Sequence, residues 1–426
     1  MLLPLLCLPA LVAGLPGLAT RQDNIHHLPL VRRTIRRSDG FVELDRLAMY
    51  ADAVRYKHGF KTVNQLERRA SAAGISMIDL GRDTGYLATI NFGTPPQPLD
   101  VLLDTGSADL WVATTACQAC PNNSPKFNMA QSSTLVATSQ AFTFSYADHS
   151  SASGNLVQDT VAIGPYTVHS QSFAGVTSIS GIVANLGSNA GILGLAFQNI
   201  AVSGASPLWE TLIAAGELSS PEMSFYIKRY ASIATSPTQL DPGGTFTLGG
   251  TNSSFFKGDI EFNAFPPHVI PSAWMQLVSG MTVNGQQVDL ANVPNNYAII
   301  DTGTSLLGGP AAAVEAFWTQ IDGAFALGGT NLGYWIYPCA TEIDVTLAFG
   351  GTAWPISSGD MNSGQYGPVP GYCVGSFFDI TFGNAPDPDS ASWIIGDTFL
   401  KNVYTVLRAG DNPAIGFAQL ADGLNV

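Results

Sequence analysis

Two aspartates, each followed by Thr-Gly, are the residues of this sequence whose type and spacing could do chemistry. Asp104 follows the apolar run 99–103, and Asp301 follows a second apolar run at 297–300. Each run predicts a buried strand that ends in a loop at the carboxylate. If the two loops meet, both carboxylates cannot ionise cheaply, so one of them keeps a proton. Such a pair offers a general acid and a general base in one site.

A second repeated feature follows each aspartate. An apolar-apolar-glycine sequence places Gly194 90 residues after Asp104 and Gly396 95 residues after Asp301. Two halves of similar length with the same two motifs indicate an internal duplication. Related halves usually pack about a pseudo-twofold axis, and that packing would bring the two carboxylates face to face.

The composition favours strands and turns over long helices. The chain has 426 residues, of which 46% are hydrophobic and 12% charged, with 44 Gly and 26 Pro. This length is enough for two hydrophobic cores, and this composition is typical of many short strands. We therefore expect an all-β protein with a few short helices, for which residues 206–217 and 310–321 are the best sequences.

The charge is divided unevenly along the chain. Residues 1–70 hold 11 of the 18 Lys and Arg and 6 acids, whereas the remainder carries a net charge of −19. A basic leader before an acidic body suggests a segment that docks electrostatically and is later removed. The acidic body lacks the basic residues that phosphate binding needs, so we expect no nucleic-acid partner.

The N-terminal 69 residues predict two processed segments. Residues 1–19 are apolar and uncharged, which is typical of a signal peptide, although a buried N-terminal helix is the alternative. Residues 20–69 end in Arg68-Arg69, a dibasic pair suited to a processing protease, and predict a propeptide. The alternative is a solvated basic face of an ordinary helical domain. A basic residue that reached the acidic pair would silence the precursor, and the candidates are Tyr56 with Lys57, or Arg55.

Beyond residue 85 the sequence predicts strands and turns, including a β-hairpin whose strands flank a polar tip at 147–154. We place one lobe at 70–258 and the other at 259–426. No low-complexity linker separates them, so we expect the halves to share strands. No other stretch has the length and apolarity of a membrane span, and the C-terminus lacks an anchor signal. Secretion is therefore expected, with a vacuolar location as the alternative.

The order of the motifs resembles that of pepsin-like aspartic proteases, most closely the secreted fungal enzymes of the polyporopepsin type. The resemblance covers residues 84–421 and rests on the segments 104–112, 191–196, 301–306 and 393–399. It implies two pseudo-twofold-related β-barrel-like lobes with the catalytic pair Asp104 and Asp301 between them.

The resemblance also implies roles for other residues. Around the pair we expect threonines that cross-brace the two loops, glycines that allow close approach and hydroxyls that hold the aspartates. These residues are Thr105, Gly106, Ser107, Thr302, Gly303 and Thr304. Substrate-binding residues are expected in and near a flap over the cleft: Trp111, Tyr146, Ala147, Asp148, Ile192 and Ile299. An acidic Asp148 could favour a basic substrate residue, although a solvated loop acid is as good an interpretation.

Five cysteines are present, and Cys7 lies in the N-terminal apolar stretch. The other four allow two disulfides in three pairings in an oxidising compartment. The resemblance implies that Cys117 pairs with Cys120 and Cys339 with Cys373. A zinc site would need a second close pair, so we expect no metal. Asn122 and Asn252 begin Asn-x-Ser sequences and are candidate glycosylation sites.

These features predict a secreted aspartic endopeptidase that is made as a zymogen and hydrolyses peptide bonds at acidic pH. The nucleophile would be a water activated between the two aspartates, without a cofactor. Expected partners are protein or peptide substrates, the propeptide as an inhibitor and pepstatin-type inhibitors, and the enzyme is expected to be a monomer. The alternative is a protein of the same fold that binds without cutting, such as an inhibitor-like protein.

Overall fold

The computed structural model describes residues 26–34, 40–42, 44–58, 83–118, 120, 124–145, 151–180, 189–229, 242–267, 270–291, 293, 295–328, 333–381 and 391–425. Strands dominate these residues, and the four α-helices among them are short. The helices are α1 (Leu44–Lys57), α2 (Leu208–Ala214), α3 (Ala311–Trp318) and α4 (Asp397–Leu400). The second and third lie inside the two stretches for which the sequence predicts helices, and both are shorter than predicted.

The first half contributes strands to one large sheet. They are β1 (His26–Thr34), β2 (Asp83–Phe92), β3 (Gln97–Asp104), β4 (Leu110–Ala113), β5 (Val136–Ser145), β6 (Ser151–Ile163), β7 (Tyr166–Ser180), β8 (Gly191–Gly194), β9 (Glu222–Ile227) and β10 (Pro242–Leu248).

The second half contributes shorter strands. They are β11 (Phe256–Ala264), β12 (Met275–Leu277), β13 (Gly280–Val283), β14 (Gln286–Gln287), β15 (Tyr297–Ile300), β16 (Leu307–Gly309), β17 (Phe325–Ala326), β18 (Trp335–Pro338), β19 (Val345–Ala348), β20 (Ala353–Ile356), β21 (Asn362–Gln365), β22 (Tyr372–Gly375), β23 (Phe377–Asp379), β24 (Trp393–Ile395), β25 (Val403–Arg408) and β26 (Ala414–Leu420).

The two halves share a sheet, as the missing linker predicts. The largest sheet has 13 strands in the order β11-β26-β25-β9-β10-β1-β2-β3-β8-β4-β7-β6-β5. Near one end of this order, β25 from the end of the chain pairs antiparallel with β9 from the first half. The C-terminal strands β25 and β26 therefore belong to the same sheet as the strands of the first half.

The duplication is visible in the strand pairing around each aspartate. In the first half β3 pairs parallel with β8, and β8 pairs antiparallel with β4. In the second half β15 pairs parallel with β24, and β24 pairs antiparallel with β16. The glycines that end β8 and follow β24 leave no space for a side chain. A Cβ at Gly194 would lie 2.3 Å from the backbone of Ala108, and one at Gly396 would lie 2.1 Å from the carbonyl oxygen of Thr304.

The described residues before 59 pack onto this framework as strand β1, as residues 40–42 beside β21 and as helix α1. Strand β1 lies inside the large sheet between β10 and β2, antiparallel to both. Helix α1 buries the apolar stripe Leu47, Ala51 and Val54 against the second half, where it meets Tyr334 and Phe378 among others. Residues spaced four and three apart lie on one face of a helix, so this stripe fixes which face of α1 points at the protein. The sequence indicates helix for the segment containing 41–50, and strand β1 is a feature it does not predict.

Candidate active site

The chain brings Asp104 and Asp301 together at the centre of the molecule. Asp104 is the last residue of β3, paired with Gly194 of β8, and it is buried. Asp301 follows β15 directly, donates its backbone N–H to the carbonyl of Ile395 at 2.9 Å, and is also buried. Each carboxylate thus stands at the end of a strand that is held on a neighbouring strand, and its position is fixed by the sheet.

Two threonine hydroxyls tie the loops to each other. The backbone N–H of Thr302 donates to Oγ1 of Thr105 at 2.9 Å, and that hydroxyl donates to the carbonyl of Ile300 at 2.8 Å. In return, the N–H of Thr105 donates to Oγ1 of Thr302 at 3.2 Å, and this hydroxyl donates to the carbonyl of Leu103 at 2.9 Å. All four bonds are between the halves, so each loop completes the backbone hydrogen bonding of the other.

Each carboxylate accepts a matching pair of bonds from its own loop. Ser107 Oγ donates to Oδ2 of Asp104 at 2.5 Å, and Thr304 Oγ1 donates to Oδ2 of Asp301 at 2.5 Å. The N–H groups two residues after each aspartate donate to its Oδ1, at 3.0 Å in the first loop and 2.9 Å in the second.

The glycines of the two loops allow the carboxylates to approach. A Cβ on Gly303 would lie 2.3 Å from Oδ1 of Asp104, and one on Gly106 would lie 2.6 Å from Cγ of Asp301. Real Cβ atoms do not come so close to another heavy atom, so any larger residue would push the two carboxylates apart. The Asp-Thr-Gly sequence is thus needed in both halves for the pair to form.

A lysine from helix α1 lies between the carboxylates. Lys57 Nζ donates to Oδ1 of Asp104 at 2.6 Å and to both oxygens of Asp301 at 2.8–2.9 Å. The lysine side chain is 9% exposed. Burial would lower the pKa of Lys57, but the two carboxylates raise it above its usual value. The lysine therefore stays charged while it occupies the site.

The next residue also reaches the pair. His58 Nε2 lies 3.0 Å from Oδ2 of Asp301, and burial lowers the pKa of this imidazole. A neutral ring then donates its N–H to the carboxylate. The sequence analysis does not identify His58, although its place directly after a basic candidate was a usable signal.

The two carboxyl groups differ in their protonation. Burial raises the pKa of Asp104, and the Lys57 charge only partly offsets this effect. Burial acts on Asp301 in the same direction, but the charge of Lys57 and the bond from His58 hold its pKa well below the usual range. With Lys57 and His58 in the site, Asp104 is therefore the carboxyl that takes a proton first, and Asp301 is the ionised one.

The other basic candidate occupies a different place. Arg55 is fully buried against the second half, where its guanidinium donates to the carbonyl of Asp379 and lies over the ring of Phe378. The side chain of Tyr56 is outside the described residues. Tyr50, which the sequence analysis does not identify, accepts the backbone N–H groups of Ser305 and Leu306 through its hydroxyl. Burial raises the pKa of that hydroxyl, so it stays protonated.

The predicted substrate-binding residues are only partly described. Trp111 is buried on β4 and faces half-buried Ile192 across the β4–β8 pair, while Ile299 is buried on β15. Tyr146, Ala147 and Asp148 lie outside the described residues. Their flanking strands β5 and β6 pair antiparallel as the predicted hairpin requires.

The cysteine pairings are those that the resemblance implies. Disulfides join Cys117 to Cys120 and Cys339 to Cys373. Of the two candidate glycosylation sites, Asn122 is outside the described residues. Asn252 lies half-buried, and its Oδ1 accepts the N–H of Ser254.

Neither a metal site nor a membrane-spanning helix is found in the part of the chain that the structure describes. Among these residues, no three His, Cys, Asp or Glu side chains are arranged to hold a metal ion. In the same part of the chain, no helix combines the length and apolarity that crossing a membrane requires.

Comparison with known proteins gives a consistent result. Residues 85–420 match the family model described as eukaryotic aspartyl protease. The chain is 38% identical over 375 residues to major aspartyl peptidase 1 of Cryptococcus neoformans var. grubii, covering 86% of this chain and 74% of that protein. It is 32% identical over 416 residues to an aspartic protease of Phaffia rhodozyma, covering 96% and 94% of the two chains.

A further relative is similar over nearly the full chain. Pepsin A of Rhinolophus ferrumequinum is 30% identical over 411 residues, which cover 95% of this chain and 97% of that protein. The mostly-β bilobal structure is the pepsin-like fold predicted from the motifs. With its two matched aspartate loops on this fold, the chain belongs to the eukaryotic aspartyl protease family and is an aspartic-type endopeptidase that acts on protein or peptide substrates.

Proposed function

We propose that the chain is the precursor of a secreted acid endopeptidase, in which Asp104 and Asp301 are the catalytic pair and residues 20–69 form an inhibitory propeptide. The observation that carries this proposal is the position of Lys57 Nζ, within 2.9 Å of both carboxylates. An ammonium group there occupies the place that a nucleophilic water would need. This position supports the proposal that removal of the propeptide is the step that frees the site.

The mechanism uses one proton shared by the two carboxyl groups, because both cannot ionise cheaply at such close range. After release, a water takes the place of Lys57 Nζ between them. The ionised carboxylate accepts a proton from the water as the oxygen attacks the scissile carbonyl, and the protonated partner hydrogen-bonds the developing negative charge. A proton then reaches the leaving nitrogen, and no covalent intermediate forms. The Thr105 and Thr302 hydroxyls hold both loops still, so the pair is preorganised for this step.

Acidification should release the propeptide. Lys57 stays charged throughout the acidic range because its pKa is raised, so release depends on its partners. Lys57 lowers the pKa of Asp104 against the effect of burial, so this carboxyl takes a proton more readily once the lysine has left, and acid favours the open site. Asp301, whose pKa is lowered, favours the closed precursor above its ordinary pKa near 4, and that stabilisation is lost as the pH falls further. The precursor is therefore closed at neutral pH and opens in acid.

The remaining assignments belong to the same proposal. Residues 1–19 direct secretion, the mature enzyme starts near Ala70 after Arg68-Arg69, and its lobes are 70–258 and 259–426. Tyr146, Ala147 and Asp148 form the flap over the substrate, with Trp111, Ile192 and Ile299 lining the cleft. The mature enzyme is a monomer that pepstatin-type inhibitors block. The non-catalytic alternative is not favoured, because both aspartates are present and the relatives are named peptidases.

The test is hydrolysis of an acid-denatured protein by the processed enzyme at about pH 3–5, with and without pepstatin. The isosteric variant Asp301→Asn removes one ionisable group, and we expect it to lower kcat by at least about 10³-fold. The surface variant Asp344→Asn, on an exposed residue at the edge of β19, is the matched control and should keep full activity. Hydrolysis that survives both pepstatin and Asp301→Asn would contradict the assignment of the pair.

A further inference from the structure

A second cation of the propeptide segment is buried away from the catalytic pair. Arg55 is 1% exposed, two residues before Lys57. Placing a guanidinium in a protein interior is unfavourable unless the surroundings replace the water that it loses. The surface that receives Arg55 therefore must supply the interactions that a cation needs, and it belongs to the second half of the chain.

Three groups of that half receive the guanidinium. Arg55 Nη2 donates to the backbone carbonyl of Asp379, and its Cζ lies 5.5 Å from the centre of the Phe378 ring. Gly333 also packs against the guanidinium, since a Cβ at this position would lie 2.7 Å from Arg55 Nη2. An aromatic face and a carbonyl acceptor beside a glycine are the components of a site for a planar cation. We call these three residues, Gly333, Phe378 and Asp379, the guanidinium pocket.

The guanidinium pocket is held by parts of the chain that stay after residue 69. Phe378 and Asp379 lie on β23, which pairs with β16 directly after the Asp301 loop. The N–H of Asp379 donates to the carbonyl of Gly333 at 2.8 Å, and Thr381 donates twice to the Asp379 carboxylate at 2.7 Å. The Phe378 ring stacks on Tyr334 with centroids 5.1 Å apart. Removal of α1 leaves all these contacts in place.

The position of the pocket connects it to the substrate cleft. It lies in the sheet β12-β15-β24-β16-β23, the same sheet that carries Asp301. The side chains of Arg55 and Lys57 project from the same helix, α1, and Lys57 reaches both catalytic carboxylates. The same helix therefore covers both the catalytic pair and the pocket, and its removal opens both sites.

We propose that the guanidinium pocket is a substrate subsite that accepts a basic side chain, arginine above all, once the propeptide has left. The proposal rests on the proposed function, because Arg55 must be removed before a substrate can enter. The net charge of −19 on the chain after residue 70 also favours the binding of cationic peptides. The enzyme would thus cleave peptides that present an arginine at one fixed distance from the scissile bond.

The experiment compares arginine with citrulline, its uncharged isostere, at each position along a peptide that the mature enzyme cleaves. At one position, kcat/KM should be about tenfold higher for arginine, as expected for a partly desolvated cation on an aromatic face. Phe378→Leu should reduce that ratio to below about threefold, because it removes the ring and keeps an apolar side chain. Phe256→Leu, which removes a stacked ring on β11, is the matched control and should keep the tenfold ratio.

The outcomes are distinguishable. A ratio near one at every position in the unchanged enzyme, or a tenfold ratio that Phe378→Leu leaves intact, would overturn the subsite. If Phe378→Leu fails to fold, Phe378→Met replaces it: the flexible apolar side chain fills similar space, the ring is gone, and the ratio should again fall. Failure of the proposed function would show differently, as no peptide hydrolysis with any residue at any position.

Discussion

The two aspartate loops have matching backbones and unequal surroundings. Each loop ends a strand, accepts one hydroxyl bond and one N–H bond on its carboxylate, and lends a threonine to the other loop. Only the second carboxylate receives His58 and a bond from Lys57 on each oxygen. The duplicated fold thus supplies a symmetric scaffold, and the N-terminal segment makes the two acids different. The symmetric part should control stability and catalysis, and the asymmetric part should control latency.

The largest effect on latency is expected from Lys57→Met. The change keeps the length of the side chain and removes the charge, so two buried carboxylates lose their common partner. Breaking such a pair costs about 3–5 kcal/mol, and we expect the fraction of precursor with an open site to rise by at least about 100-fold. Binding of pepstatin to the intact precursor at about pH 6 measures this fraction.

The control for this variant is Lys257→Met, which removes a lysine from an exposed ion pair with Asp422. An exposed pair contributes little, so pepstatin binding should stay at the level of the unchanged precursor. Equal binding by Lys57→Met and the unchanged precursor would show that the lysine does not close the site.

The symmetric part is tested by Thr105→Val and Thr302→Val. Each change removes one hydroxyl that both accepts an N–H and donates to a carbonyl of the other half. Each should lower the free energy of unfolding by about 1–3 kcal/mol, and the two losses should agree within about 1 kcal/mol. Denaturant unfolding of the precursor measures both values.

Thr114→Val is the comparison outside the site, since the Thr114 hydroxyl donates a bond of 3.0 Å to the carbonyl of Val176. That carbonyl also accepts the N–H of Thr114, so the loss should be smaller. If the losses in unfolding free energy at positions 105 and 302 differ by several kcal/mol, the two loops contribute unequally to stability despite their matching hydrogen bonds.

The smallest effect is expected from His58→Gln. The buried imidazole has a lowered pKa, so acid favours the released form, in which the ring can take a proton near its ordinary pKa of about 6.5. This histidine therefore weakens the closed precursor before Asp301 does as the pH falls. Glutamine can still donate to Asp301 and does not titrate, so conversion at about pH 5 should slow by a few-fold. The rate of shortening of the precursor, followed at several pH values, measures the change.

Conversion at about pH 3 is the internal control for this variant, because there the carboxyl groups control release and both proteins should convert alike. An unchanged rate at pH 5 would mean that His58 does not contribute to acid release.

The two aspartate loops and their cross-bracing threonines could be predicted from the sequence because each lies in a short motif with a fixed local geometry. The two disulfide pairings followed only from the resemblance, since four cysteines allow three pairings. The choice between Arg55 and Lys57 could not be made this way. At about 100° per residue, these two side chains lie about 80° to either side of the stripe formed by Leu47, Ala51 and Val54. Both flank the buried face of α1, and only the tertiary contacts decide that one reaches the aspartates and the other reaches Phe378.

The same reason explains why strand β1 was not predicted. Its pairing partners are β2 and β10, the second more than 200 residues away, and no local pattern specifies such a contact. Tyr50 was missed because its role depends on backbone N–H groups of the second loop, which carry no sequence signal.

The place of β1 in the large sheet has a consequence for the activated enzyme. Because β1 separates β2 from β10, its departure with the propeptide turns two interior strands into open edges that face each other across a gap one strand wide. Unpaired edges recruit other strands and promote aggregation. If activation removes residues 26–34 as proposed, another strand must fill this gap, and the resistance of the mature enzyme to aggregation would depend on how quickly it does so.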